Sequence, residues 1–311
     1  MTATIIRRLI AGVITLFAIA TLSFFITRLA PGNPFAGERQ LTKQTMENLN
    51  RYYGFDKPVL VQYGNTMLNY LQGEFGPSYY HRDKTVSMLI WPALKVSAIL
   101  GSIAFVLAMA LGLPMGVLAA ARQNTVADHM AMSISIAGIC IPNFLLGPLL
   151  IMLFAFVLNW LPVGRWPQDS SWAELQRLIM PAITLALVHV AYVSRLGRAG
   201  MLDVLNKEYI RTARAKGLNE SSVVLKHGLK NGVTPVLSYA GPMAALIVTG
   251  SIVVERVFDI PGLGQHFVNS ALARDHPLLM ASILVFSALI ILFNLIVDLT
   301  YAWLDPRVRV Q

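Results

Sequence analysis

Residues 207–230 have the sequence KEYIRTARAKGLNESSVVLKHGLK, a polar and basic stretch made mostly of helix-forming residues. Uncharged apolar runs lie on both sides of it, at 178–194 and 231–254. Apolar runs of this length are long enough to cross a bilayer, and basic loops are retained on the cytoplasmic face. The stretch therefore predicts a cytoplasmic loop between two spans of an all-α membrane protein.

The first half of this stretch predicts a helix with two different faces. Lys207, Arg211 and Arg214 are spaced i, i+4, i+7 and share a charged face. Ile210 and Ala213 are spaced i, i+3 and share a face of small and apolar character. An amphipathic helix of this kind has one side suited to solvent or acidic groups and another suited to packing.

A turn and a second helix are predicted to follow. Gly217, which continues the small face, stands where a helix ends in a left-handed residue, and Asn219 is placed to cap a helix over 221–230. Small side chains at Ala213, Ala215 and Gly217 would let the backbone of another protein approach closely. We interpret the stretch as a docking site for a partner protein; a solvated linker beside the membrane is the alternative.

Composition places the chain in a bilayer. Of its 311 residues, 55% are hydrophobic and 13% charged, against about 25% charged in soluble domains. The net charge of +9 comes from basic groups interleaved with apolar runs, which favours membrane retention over nucleic-acid binding. The single cysteine, Cys140, lies in an apolar run and excludes a disulfide framework or a cysteine metal site within this chain.

Uncharged runs predict six transmembrane helices. They cover residues 9–26, 96–121, 130–160, 178–194, 231–254 and 277–304, with Asp298 inside the last. The third run is too long for a straight crossing, and Pro142 and Pro148 within it predict a kink or break. Gly112 and Gly116 have the spacing of a close helix contact.

Basic residues predict the orientation. Six spans leave both termini on one side, and Arg7, Arg8, Arg122 and the loop at 195–232 then all face the cytoplasm. The first apolar run is longer than the core of a signal peptide, which is the competing interpretation. We therefore expect an N-terminal transmembrane helix at 1–29, an extracytoplasmic cap at 30–92 and a five-helix core at 93–311.

The predicted membrane interior has few polar residues. Asn143, His189 and Thr249 are candidates for a translocation path, although packing roles compete for each. No series of acidic or histidine residues crosses the spans as an ion relay would, and the sequence has no Walker A motif and no recognisable hydrolase motif. An energy source outside this chain is therefore expected.

With these features, the chain resembles the integral-membrane permease subunits of bacterial ABC importers, in the peptide and nickel branch. The motifs that carry the resemblance are RLAPGNP at 28–34, DKP at 56–58, GEFGPS at 73–78, YIRTARAKG at 209–217, ERVFDIPGLG at 255–264 and DPR at 305–307. Arg211 replaces the Glu of the general family's cytoplasmic loop. The sequence PFAGER at 34–39 favours the oligopeptide members over the dipeptide and nickel members.

The resemblance implies a type I importer permease fold and a place within a larger assembly. The expected partners are a second homologous permease subunit, two ABC ATPase subunits, an extracytoplasmic peptide-binding protein and membrane lipid, with no nucleic acid. No cofactor or metal is expected on this chain, because ATP and Mg²⁺ belong to the ATPases. The resemblance assigns ATPase coupling to Glu208, Tyr209, Arg211, Thr212, Ala213, Arg214, Ala215, Lys216 and Gly217.

Two functions of other classes remain open from the residues themselves. A self-standing channel or facilitator would conduct without ATP, and a membrane enzyme would turn over substrate without partners. Cargo other than oligopeptides, such as dipeptides or nickel chelates, is a third possibility within the same family.

Overall fold

The computed structural model describes residues 2–29, 44, 47, 51, 54–81, 83–248 and 250–304. Regular structure in these residues is helical, apart from one isolated antiparallel bridge between Pro77 and Thr85. The helices are α1 (Thr2–Leu29), α2 (Val59–Leu71), α3 (Val86–Ala121), α4 (Val126–Cys140), α5 (Asn143–Leu150), α6 (Trp172–Leu175), α7 (Ile179–Leu205), α8 (Glu208–Ala215), α9 (Glu220–Ser222), α10 (Leu229–Gly232), α11 (Thr234–Val248), α12 (Ile252–Val257), α13 (Leu263–Ala273) and α14 (His276–Leu304). Ile151–Val157 and Val223–Gly228 are π-helical.

The described helices match the six predicted spans. Five stretches are long and apolar enough to cross a membrane: Ile6–Leu29, Val86–Ala121, Trp172–Leu205, Thr234–Val257 and His276–Ile296. The sixth is a broken pair, Val126–Cys140 and Asn143–Val157, whose two parts are bent by 104°. The predicted break at Pro142 is therefore confirmed, and it lies where the ring of proline prevents a continuous helix.

Two of the predicted span boundaries differ clearly from the helices. The fourth span was expected to end at Ser194, but α7 continues to Leu205. The second span was expected to begin at Val96, but α3 begins at Val86. Lys95 is exposed on the helix surface and does not interrupt the helix, while Ile90 and Ala93 of the same turns are buried. The division into segments 1–29, 30–92 and 93–311 concerns membrane topology and stays a prediction.

The chain forms two compact units, of which the first comprises Met1–Val96 and Gly262–Leu292. Its core is an apolar cluster in which Ile90, Leu263 and Ala281 are fully buried. Asp275 caps the start of α14, where its carboxylate accepts hydrogen bonds from the Ser78 hydroxyl and from the Tyr79 N–H at 3.1 Å. This buried carboxylate fixes the GEFGPS motif at 73–78 to the start of α14.

The second unit comprises Ser97–Pro261 and Phe293–Gln311, and within it α3 crosses α7 very closely. A Cβ added at Gly112 would meet the Val190 carbonyl oxygen at 2.8 Å, and one at Gly116 would collide with the Ser194 carbonyl oxygen. The predicted close contact at Gly112 and Gly116 is confirmed, and it packs two helices of the same chain.

A charged pair, which the sequence analysis missed, ties α4 to α7 in the second unit. The Arg198 guanidinium donates two hydrogen bonds to Asp128, from Nε to Oδ1 at 2.6 Å and from Nη2 to Oδ2 at 2.7 Å. The Asn124 N–H donates a third to Asp128 at 3.0 Å. The Asp128 side chain is only 2% exposed, so its charge depends on these donors.

We predict that Arg198→Met lowers the free energy of unfolding by about 3 kcal/mol, because it leaves the buried Asp128 carboxylate without its main partner. Thermal and denaturant unfolding in mild detergent measure the effect. The matched control is Arg211→Met, which breaks an exposed ion pair and is expected to change stability little. Equal effects of the two substitutions would show that the Arg198–Asp128 pair contributes no more than a surface pair.

Candidate coupling site

The predicted helix, turn and helix at 207–230 are present. The helix α8 begins after Lys207, whose carbonyl oxygen accepts from the N–H groups of Ile210 at 3.1 Å and Arg211 at 3.3 Å. Gly217 follows it with φ of +78°, the left-handed conformation that glycine adopts without strain. Asn219 then caps the next helix, accepting at Oδ1 from the Ser221 N–H at 2.7 Å.

The apolar face of α8 is turned into the protein. Ile210 is fully buried and Ala213 is 7% exposed. Both belong to one cluster with residues from the ends of α3 and α7 and from the π-helical segment Val223–Gly228. The other buried members of this cluster are Ala120, Met201, Val204, Leu205, Val223 and Val224. The cluster thus joins α8 to the ends of two predicted spans.

This burial corrects one expectation about the small face. Ala213 was expected to offer a partner's backbone a close approach, but its methyl group packs against the chain's own core. Ala215 and Gly217 are exposed, and a Cβ at Gly217 would meet no atom within 4 Å. Hence the surface available to a partner is formed by the residues between the buried positions.

The outward face of α8 is polar, basic and exposed. Arg211 is 68% exposed in its side chain and donates to Glu208 at 2.8 Å. Thr212 donates its hydroxyl to the Glu208 carbonyl oxygen at 3.0 Å. Together with Ala215 and Lys216, these exposed residues form a continuous strip along the helix, which we call the outer strip (Glu208, Arg211, Thr212, Ala215, Lys216).

Arg214 fastens α8 to the helix after the turn. Its Nη2 and Nε donate to the Glu220 carboxylate at 2.6 Å and 3.1 Å, a two-pronged geometry. The hydrogen bonds from Arg214 hold the pKa of Glu220 below its usual value, and the same pair raises the pKa of Arg214. Both groups therefore stay charged at neutral pH and keep the turn closed.

A second polar contact holds α8 from its other end. The Asn231 side-chain amide donates to the Tyr209 hydroxyl at 3.0 Å. Sequence reasoning missed both this contact and the Arg214–Glu220 pair, since each joins residues that lie across the turn. A spacing of six residues, as between Arg214 and Glu220, is typical of no helical contact, so no periodic signal could have found it.

Glycines bring the loop close to α7. A Cβ at Gly200 would collide with the Gly232 carbonyl oxygen, and one at Gly232 would collide with the Met201 sulfur. A Cβ at Gly228 would meet the Met201 methyl group at 3.0 Å. The π-helical segment that includes Gly228 is a local departure from regular helix of the kind often found at functional sites.

The three candidates for a translocation path have different settings. The His189 Nδ1 lies 2.8 Å from the Tyr239 hydroxyl, and Tyr239 also packs against Tyr192 with ring centroids 5.6 Å apart. Asn143 Oδ1 is buried at the bend without a hydrogen-bond partner within the described residues. Thr249 lies outside the described residues.

A buried carboxylate in the ERVFDIPGLG motif was also missed as a structural centre. Glu255 is fully buried and accepts from the Ser97 hydroxyl at 2.7 Å. A Cβ at Gly250 would collide with Glu255 Oε1, and Gly250 has φ of +92°. The Glu255 carboxylate thus occupies the space beside Gly250, between α11 and α12. In the sequence, only the position of Glu255 in a family motif pointed to this residue.

Comparisons of the whole sequence agree with this architecture. The family described as binding-protein-dependent transport system inner membrane component matches residues 112–310, and its N-terminal counterpart matches residues 1–111. The chain is 44% identical over 305 residues to the oligopeptide transport system permease protein OppB of Escherichia coli K12, covering 98% of each chain. It is 38% identical over 306 residues to the dipeptide transport system permease protein DppB of Bacillus subtilis, covering 98% and 97%.

A solved structure shares the fold. A chain from the inward-facing MetNI methionine ABC transporter superposes with a TM-score of 0.57 at 15% identity, covering 70% of this chain and 97% of that one. The two chains share the type I importer permease fold, which is the fold that the family resemblance predicted. On the sequence match and the shared fold together, the chain belongs to the family of binding-protein-dependent transport system inner membrane components, as a permease subunit with the type I ABC importer fold.

Proposed function

We propose that this chain is one of two permease subunits of an ATP-driven importer that moves short peptides across the bacterial inner membrane. The similarity to oligopeptide and dipeptide permeases supports a peptide cargo. The family description supports an extracytoplasmic binding protein as the source of cargo. ATP hydrolysis then takes place in two separate ATPase subunits, and both termini of this chain lie in the cytoplasm.

The observation that carries the proposal is the division of α8 into two faces. Its outer strip is exposed and basic, while Ile210 and Ala213 are buried against the ends of α3 and α7. A partner that grips the outer strip therefore moves the ends of two spans, because the apolar cluster leaves α8 no independent motion. In this mechanism, the ATPases pull on α8 and the spans change between two orientations.

Residues of the second unit supply candidates for the path of the cargo. The side-chain oxygen of Asn143 at the bend is buried without a partner among the described residues, and a movement that exposed it would let a cargo amide donate to it. His189 and Tyr239 form a hydrogen-bonded pair on neighbouring helices, with the partly exposed Tyr192 beside them. Peptide groups and side chains of a passing cargo would find both polar and aromatic contacts there.

The first test changes Ala215 of the outer strip and Gly217, the exposed glycine of the turn that follows it. We expect Ala215→Arg combined with Gly217→Arg to release the ATPases from the purified assembly and to lower ATP-dependent uptake by about tenfold or more, since both side chains enter the proposed contact. Co-purification and uptake into proteoliposomes measure the two effects. Gly217→Asn is the matched control, because Asn tolerates positive φ and is small. Normal uptake by the double arginine variant would refute the docking role.

The second test changes the buried face. We expect Ile210→Ala to weaken the cluster by about 2–4 kcal/mol and so to loosen α8 from α3 and α7. The ATPases should still bind and hydrolyse ATP, but the peptide imported per ATP hydrolysed should fall. Ile210→Val, which costs only about 0.5–1.5 kcal/mol, is the control. An unchanged ratio of uptake to hydrolysis in Ile210→Ala would exclude the cluster as the mechanical link.

The third test addresses the cargo. Proteoliposomes with the complete assembly should accumulate labelled short peptides only when ATP is supplied, and unlabelled peptides should compete while a nickel chelate should not. A result in which only dipeptides compete would place the chain with the dipeptide permeases. Flux in liposomes that contain this chain alone without ATP would instead support a self-standing channel.

A further inference from the structure

The first unit contains a polar cavity that the transport mechanism does not use. It has a volume of about 320 Å³ and is lined by the last turn of α1, residues that precede α2, one face of α2, the segment that follows α2 and the start of α14. Small-molecule sites in proteins have volumes of roughly 300–1,000 Å³, so the cavity is large enough for a ligand.

Three cations line this cavity, and the described residues include no carboxylate that forms an ion pair with them. They are Arg28, Arg51 and Lys57, and the one acidic residue in the lining is Glu74. Within the described part of the chain, the ion pairs are Arg177–Glu174, Arg198–Asp128, Arg211–Glu208 and Arg214–Glu220. The excess of positive charge in the cavity is therefore not neutralised by those residues, which favours an anionic ligand.

Arg28 is held in place by an aromatic ring. Its guanidinium carbon lies 4.4 Å from the centroid of the Phe55 ring. A contact of this kind fixes the position of the cation without using its N–H donors. The guanidinium is thus held ready to donate hydrogen bonds to a ligand in the cavity.

Amide side chains also line the cavity, and one of them, Gln62, donates a hydrogen bond to the Lys57 carbonyl oxygen at 2.7 Å. Gln62, Asn65 and Asn69 line the cavity from α2 and share one helix face at i, i+3 and i+7. Tyr63 of the same helix is anchored to α1, where its hydroxyl lies 2.9 Å from the Thr21 hydroxyl and its ring stacks on Phe25 at 5.6 Å. The amides therefore stand at a fixed distance from the last turn of α1.

The outer surface of α1 beside the cavity is apolar. Leu22, Ile26 and Leu29 are 61%, 64% and 82% exposed and are spaced i, i+4, i+7 along one face. In a membrane-spanning helix, such a face contacts acyl chains. Arg28 lies in the same last turn as Leu29. The apolar stripe of α1 therefore ends beside a cation of the cavity.

We propose that this cavity binds a phosphate group, carried by the head group of an acidic phospholipid whose acyl chains lie along α1. A phosphate oxygen accepts well from guanidinium and amide donors, and the three cations of the lining favour the negative charge of the phosphate. The apolar stripe of α1 distinguishes a lipid from a free anion, because it accounts for the rest of the molecule. The lipid would brace α1, α2 and the start of α14 together.

Native mass spectrometry of the full assembly, purified from its membrane and exchanged stepwise into detergent, tests this proposal. Phosphatidylglycerol and phosphatidylcholine are added at equal amounts, and the lipid retained is counted for the wild type, Arg28→Gln/Arg51→Gln and Arg28→Lys. Lys84→Gln is the matched control, since Lys84 is an exposed cation of the same unit outside the cavity. A thermal melt of each variant confirms that it is folded.

We expect the wild type, Arg28→Lys and Lys84→Gln to retain phosphatidylglycerol in preference to phosphatidylcholine, and the double Gln variant to lose this preference by about tenfold or more. A parallel arm adds inorganic phosphate and records its ³¹P line width. Arginine-dependent broadening without retained lipid would assign the site to free phosphate. Equal retention by the double Gln variant and the wild type, or displacement of lipid by peptide alone, would overturn the proposal.

Discussion

The burial of Ile210 and Ala213 is the interaction on which the proposed mechanism depends. A helix of eight residues is too short to be stable by itself in water, so α8 exists because its apolar face is packed. Full burial of an isoleucine side chain contributes about 1.5–3 kcal/mol. The Arg214–Glu220 pair and the Tyr209–Asn231 hydrogen bond then fix the rotation of α8 about that contact. Because these contacts hold α8 on several sides, we expect it to move together with the ends of α3 and α7 in the proposed mechanism.

The helix α7 extends this connection into the membrane. Its last turns contribute Met201, Val204 and Leu205 to the cluster around α8. Its middle turns contact Gly112 and Gly116 of α3 through the carbonyl oxygens of Val190 and Ser194, and His189 directly precedes Val190. At about 1.5 Å per residue, the helix spans roughly 40 Å from end to end. In the proposed mechanism, a helix of this length would carry a displacement at α8 to the polar candidates of the path.

Local and periodic features of the sequence predicted a large part of this structure. Apolar runs located the spans, Pro142 located the break, and the Gly217 and Asn219 pair located the turn, because each of these signals acts within a few residues. Contacts between distant segments could not be predicted in this way. Asp128 and Arg198 are separated by 70 residues, and Ser97 and Glu255 by 158. The inward direction of Ala213 was also missed, since a small face is equally suited to a partner and to the chain's own core.

The break between α11 and α12 differs in kind from the bend at Pro142. A proline bend follows from one residue, whereas this break requires Gly250 at positive φ and a buried carboxylate that occupies the space a Cβ would need. Because the buried Glu255 side chain also accepts from Ser97 on α3, any opening of the break would separate a buried polar group from one of its hydrogen-bond donors. The cost of that separation favours a fixed break over a hinge.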